Sequence, residues 1–323
     1  MQKAARGTFP RGKDMTDTGA AYLARHKKRI TPLMLAVFIL IAALGIGAGA
    51  GCYIYYRDNV GMPPDTQAEA EYELISESYV TIDDNKPIGP IHVPKAPKAK
   101  RAAWDVDNFD APALDINMEE LKMTNPDFIG WLYCGQFGIS YPLVQEHEID
   151  EYVHLTFNRQ PSEAGCVFMD VLSRGDFSGY SDFLFAHNMR NLTMFGPLKK
   201  VVQDGGISLI TNDPYIYVYT PTQTIRYRIF AFYRTTIGSR TYDEIIGPEQ
   251  YDEFVEYIKG LSEYPLPEGV SFEDRPEILT MSTCHGMPGG DKRLVIHTVK
   301  CGVKHLGEPE IVTTLRTATV DTQ

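Results

Sequence analysis

The stretch Glu277-Ile-Leu-Thr-Met-Ser-Thr-Cys-His-Gly-Met-Pro-Gly-Gly-Asp-Lys-Arg-Leu-Val-Ile-His-Thr-Val299 holds two strand-like runs joined by a glycine-rich loop. Its flanks, 278–281 and 293–299, are rich in β-branched and apolar residues, which suit a pleated and half-buried surface. Gly286, Pro288, Gly289 and Gly290 mark the turn between them. The expected element is a hairpin that returns Arg293 beside Cys284. Cys284 then stands where a strand runs out into a loop, and access is one half of thiol reactivity.

Outward from this hairpin the same texture repeats. Runs at 128–133, 139–144, 165–169, 182–185, 207–210, 215–219 and 225–233 are short, rich in aromatic and β-branched residues, and separated by Gly, Pro, Asn and Asp. Eight or nine such strands predict a mainly β fold, a barrel or a sandwich. Two helices interrupt them. One is short, over 117–123. The other, over 248–264, places Tyr251, Phe254, Val255, Ile258 and Leu261 on one face at helical spacing. It falls between the seventh strand and the strand carrying Cys284 and is expected to pack on the barrel.

The chain has 323 residues and a net charge of −11, which argues against nucleic acid as a partner. The charge is unevenly placed. Residues 1–57 hold nine Lys/Arg against Asp14 and Asp17, a net of +7, and the remainder carries −18. The boundary is Leu33 to Tyr56, twenty-four residues without a charge. As a helix this run spans about 36 Å, enough for a hydrocarbon core of about 30 Å. Its length, and its continuation through Tyr53–Tyr56, favour a retained anchor over a cleaved leader, although the small residues at 47–51 could supply a cleavage site. Lys27, Lys28 and Arg29 precede the span, so the positive-inside rule keeps the N-terminus cytoplasmic and exports the rest. The expected organisation is a basic cytoplasmic tail (1–29), a transmembrane anchor (30–56), an extracellular Pro-rich spacer (57–105) with a short helix near 67–79, a β-barrel domain (106–306) and a C-terminal tail (307–323).

Five cysteines are too few for a disulfide scaffold, and no Cys-x-x-Cys pair occurs. Cys52 lies in the span; Cys134, Cys166 and Cys301 sit in or beside apolar strands, where inert thiols are usual. Cys284 differs by its position. His187, in Phe185-Ala-His-Asn-Met189, occupies a similar strand-to-loop transition. A cysteine nucleophile, a histidine acid/base and an arginine facing an oxyanion together suffice for acyl transfer. Spacing alone leaves the partners open, since the chain has eight histidines. His285 adjoins Cys284 and, in an extended segment, points away from it. His297 shares the face of Arg293 but lies about 13 Å further along, so a structural role is expected. His147 and His154 with Glu148 and Glu151 lack the tight spacing of metal ligands. No metal and no organic cofactor is expected.

Thr280-Met-Ser-Thr-Cys284 resembles the T-L-x-T-C signature of sortases, with Met281 in place of leucine. Phe185-Ala-His-Asn-Met189 is similar to their G-H-N-M histidine motif, with Ala186 in place of glycine, and Arg293 matches the arginine that follows the cysteine after a hairpin. Asn125–Trp131, Tyr141–Val144 and Ala164–Asp170 look like sortase sequence too, and the late helix points to class B. The resemblance covers about 105–305. It implies an eight-stranded β-barrel and a membrane-anchored cysteine transpeptidase of Gram-positive bacteria. Such an enzyme cleaves a C-terminal sorting signal of secreted proteins through a thioester and joins the new carboxyl end to an amine of cell-wall peptide. By the same resemblance Cys284 is the nucleophile, His187 the acid/base and Arg293 the holder of the oxyanion, with Ser282, Thr283, His285 and Asn188 as substrate-binding candidates. Two alternatives stand beside this reading. A pilus-polymerising sortase would use a protein lysine as acceptor, and a silent barrel would only bind wall peptide; loss of Cys, His or Arg would have favoured the latter.

Overall fold

The computed structural model describes residues 32–58, 62–82, 109–286 and 289–306. The chain forms two units, Met1–Arg57 and Asp58–Gln323. Helix α1 (Pro32–Asp58, 27 residues) makes up the described part of the first. Its stretch Leu35–Cys52 is long and apolar enough to cross a membrane. Leu40 and Ile46 stand exposed on it. The basic tail expected over 1–29 lies outside the described residues.

In the second unit, helix α2 (Thr66–Tyr79) starts at Asp65, whose carboxylate accepts the Gln67 and Ala68 amides at 3.1 Å. That satisfies two of the donors a helix leaves open at its start. Ala68, Tyr72 and Ile75, spaced four and three apart, are buried in the main core. Strand β1 (Val80–Ile82) then pairs antiparallel with β2 (Leu114–Ile116) as a small side sheet. Residues 66–82, placed by the sequence reading within the spacer, are thus built into the folded body; the prolines at 87–97 and the C-terminal 307–323 lie outside the described residues. Helix α3 (Met118–Thr124), capped by Asn117, follows where the sequence predicts it.

Eight strands close a barrel: β3 (Phe128–Cys134), β4 (Ile139–Gln145), β5 (Val167–Met169), β6 (Ser181–Phe185), β7 (Tyr215–Tyr219), β8 (Gln223–Thr236), β9 (Ile278–Cys284) and β10 (Lys292–His305). The order around it is β10-β8-β7-β3-β4-β5-β6-β9. The pairs β4–β5 and β6–β9 are parallel and the others antiparallel. Closure removes the exposed edges of an open sheet. The interior is filled by residues such as Trp131, Leu132, Leu143, Leu279, Met281, Leu294 and Ile296. One expected strand, 207–210, is a helix: α4 (Gly206–Asn212). Four apolar residues fit either period; Ile210 is buried and Ile207 half exposed, as on a helix face rather than a buried strand.

Helix α5 (Pro248–Leu261) lies between β8 and β9 in sequence, as expected. Tyr251, Phe254, Val255 and Ile258 form a second apolar layer with Phe230, Tyr233, Val295 and Val299 on the outside of the barrel. Leu261, expected on that face, is exposed at the helix end.

Candidate active site

β9 lies between β6, to which it runs parallel, and β10, its hairpin partner. Its last residue, Cys284, is paired in register with Arg293. The loop that makes this possible carries Gly286 (φ 97°) and Gly289 (φ 76°), conformations that L side chains resist. A sequence separation of nine residues thereby becomes a cross-strand pair.

Alternation along β9 decides what shares the thiol's face. Leu279 and Met281 belong to the barrel interior and Ile278 to the outer layer, so Thr280, Ser282 and Cys284 face outward. The Ser282 and Tyr242 hydroxyls lie 2.9 Å apart. Tyr242 in turn stacks on Phe185, their centroids 6.2 Å apart. Cys284 is half-buried, whereas Cys134, Cys166 and Cys301 are buried. Burial pushes the Cys166 thiol up to about 12 and that of Cys134 still higher, so neither forms a thiolate at neutral pH.

The loop after β6 brings in His187. Thr283 Oγ1 donates to the Ala186 carbonyl at 2.8 Å, and Asn188 Nδ2 donates to the Cys284 carbonyl at 3.0 Å. These two bonds flank His187 and fasten its loop to the end of β9. From the N-terminal side, the Met62 amide donates to the Asn188 carbonyl at 2.6 Å, and the Met62 carbonyl accepts from the Arg190 amide at 2.8 Å. The His187 ring has its own anchor, with Nε2 lying 2.9 Å from the Val153 carbonyl. A carbonyl only accepts, so Nε2 carries a hydrogen and Nδ1 is the nitrogen left to gain and lose a proton. Burial holds His187 below the ordinary histidine range; the Val153 bond and Glu163 oppose this, and the charges of His154 and Arg293 add to it. The imidazole is therefore neutral at pH 7.

Arg293 Nη1 donates to the carbonyls of Gly290 (2.8 Å) and Lys292 (2.9 Å). A guanidinium has five N–H donors, so these bonds orient the fork without exhausting it. Nucleophile, base and cation expected from the sequence thus converge on three adjacent strand ends.

The four substrate-binding candidates fare differently. Ser282, Thr283 and Asn188 are buried, and the Ser282 hydroxyl, the Thr283 hydroxyl and the Asn188 Nδ2 all have protein partners. These bonds brace the end of β9 and the His187 loop. His285 is half-buried, its amide donates to the Lys292 carbonyl at 3.0 Å, and its ring lies toward Arg234, Lys292 and Glu263 rather than His187. His297 is fully buried, with Nδ1 2.8 Å from Thr280 Oγ1 and the ring stacked 5.1 Å from Tyr233, which is a structural role. His147 pairs with Asp127 at 3.0 Å, whereas His154 stacks beside His187 at 5.9 Å, so the two serve different neighbours. No sequence signal links Tyr242, Val153 or His154 to this site; the tertiary fold brings them there.

The family model for the sortase domain matches residues 136–301. The chain is 30% identical over 183 residues to Sortase B of Listeria monocytogenes, covering 54% of this chain and 72% of that protein. It is 26% identical over 171 residues to Sortase B of Staphylococcus aureus, covering 51% and 66%. A solved Bacillus anthracis structure described as similar to sortase B shares the fold with a TM-score of 0.56 at 20% identity, over 76% of this chain and 99% of that one. Closed barrel, late helix and these likenesses lead to one conclusion: the chain belongs to the sortase family, class B, whose members are cysteine transpeptidases.

Proposed function

We propose that this transpeptidase, which acts in cell-wall sorting as its family does, works through Cys284, His187 and Arg293. The observation that carries this assignment is the pairing of Cys284 with Arg293 on one side and its tie through Asn188 to the His187 loop on the other. The Cys284 sulfur attacks the carbonyl of the scissile peptide bond, and the oxyanion that forms is met by the Arg293 guanidinium. As the sulfur attacks, His187 takes the thiol proton at Nδ1 and then passes it to the departing amine, since its Nε2 hydrogen is engaged by Val153. The thioester then waits for an acceptor amine, whose proton returns to Nδ1 as the new amide forms. The substrates are secreted proteins bearing a C-terminal sorting signal, and the acceptor is an amine of wall peptide.

In the same reading α1 is a membrane anchor, the basic N-terminal residues stay in the cytoplasm, and the barrel works outside, as the positive-inside rule requires.

The full chain in detergent, mixed with a panel of sorting-signal peptides and analysed by intact mass, tests the proposal. A covalent adduct of the cleaved peptide is expected on wild type and released as an amide by added amine. Cys284→Ala is expected to form none while keeping its fold. An adduct on Cys284→Ala would refute the assignment of the nucleophile.

A further inference from the structure

Val153, which anchors His187 Nε2, and its neighbour His154 belong to the loop between β4 and β5. The His154 ring lies 5.9 Å from the His187 ring at an interplanar angle of 33°. On its other side His154 Nδ1 is 4.0 Å from Glu163 Oε2. Both side chains are largely exposed, yet their backbones are fixed. The Ser162 amide donates to the His154 carbonyl at 3.0 Å. Asp65, the cap of α2, accepts from Ser162 Oγ at 2.7 Å and from the Glu163 amide at 3.2 Å. Further along, Glu71 of α2 accepts from Thr156 Oγ1 at 2.9 Å and from the Asn158 amide at 3.0 Å. The loop is thus held against the His187 ring by a helix outside the barrel.

We propose that His154 and Glu163 are positioning residues for the acid/base: His154 covers the His187 ring and supplies a titratable positive charge beside it, and Glu163 offsets that charge. The inference rests on His187 being the acid/base of the reaction. The charged groups facing His187 come from two elements, His154 and Glu163 from the β4–β5 loop and Arg293 from β10. Arg293 is a cation and a protonated His154 is a second, so loss of the carboxylate leaves the imidazolium opposed. With the protonated form of His154 about 6 Å away, water-like screening makes the mutual effect about half a pH unit. The proton moved by His187 Nδ1 therefore responds to charges in the β4–β5 loop.

The test is a histidine side-chain 15N titration of the full chain in detergent micelles, with His187 assigned by its loss in His187→Ala. It needs no sorting peptide, so it can fail independently of the reaction proposed above. In wild type the neutral His187 is expected as the Nε2–H tautomer. His154→Gln is expected to raise the His187 midpoint by up to about half a unit, and Glu163→Gln to lower it by a smaller amount. The double variant should fall between them. Both side chains are exposed, so folding is not at stake. Midpoints within about 0.1 unit of wild type in both single variants, shifts of the same sign in both, or an Nδ1–H tautomer would overturn the inference.

Discussion

Acidification should weaken this fold through His297. The side chain is 0% exposed, between Tyr233, Phe230 and Phe254, and burial drops it to about 3 from an unfolded value of 6.5. Below about pH 6.5 the unfolded chain binds a proton here that the native fold refuses. Stability is therefore lost as pH falls, by about 1.4 kcal/mol per unit, until the native site itself protonates near pH 3. Between pH 7 and pH 4.5 the loss is about 3 kcal/mol, a large share of the 5–15 kcal/mol that is typical of folded domains. Buried carboxylates act the other way. Burial raises Asp182 to about 6, so the native fold takes up a proton there first and gains stability on acidification. The whole-protein slope mixes both, and a difference isolates His297. Urea unfolding of wild type and His297→Gln, each at pH 7 and 4.5, should show the wild type losing about 3 kcal/mol more than the variant. Equal losses in the two proteins would refute the reasoning, whatever the variant does to stability at pH 7.

Three further outcomes concern the site. Arg293→Lys keeps the charge but not the planar fork, and turnover should fall roughly tenfold or more; wild-type rates in the peptide–amine assay would remove the oxyanion role. Asn188→Ala leaves the Cys284 carbonyl without its buried donor, a loss of about 1–3 kcal/mol, and should slow both turnover and iodoacetamide capture of Cys284; unchanged capture would mean that this tie does not set the thiol's position. Gly165 has φ 61° and sits against the Tyr152 and Val153 carbonyls, so Gly165→Ala should cost about 1–2 kcal/mol and displace the anchor of His187; full activity with unchanged melting would contradict that.

Most of the barrel was legible because its strands alternate and its turns carry glycine and proline. The hairpin of β9 and β10 is the plainest instance, since it fixes Cys284 opposite Arg293 by spacing alone. The 207–210 run was misread because four apolar residues carry no period, and the helix there depends on its surroundings. Ser282 and Thr283 stand as substrate-binding candidates through the family resemblance, and their own residue types do not announce the bonds they make. They lie on a strand bonded into the sheet on both sides, and their hydroxyls meet Tyr242 and Ala186. The supports of His187 could not be read at all. Val153 contributes a carbonyl, which no residue type advertises, and Met62 arrives from a segment that composition marks as a spacer.

The placement of β9 between β6 and β10 has a directional consequence. Neighbouring strands lie about 4.8 Å apart, so His187, Cys284 and Arg293, at the ends of these three strands, form a row about 10 Å wide across the rim. Such a row is polar in the sense of a compass. With the roles proposed above, the departing amine leaves toward His187 and the carbonyl oxygen swings toward Arg293. A peptide lying across the strand ends in one sense meets both demands, and the reversed peptide meets neither. Sheet spacing alone thereby selects the polarity of the bound chain, before any pocket has read a side chain.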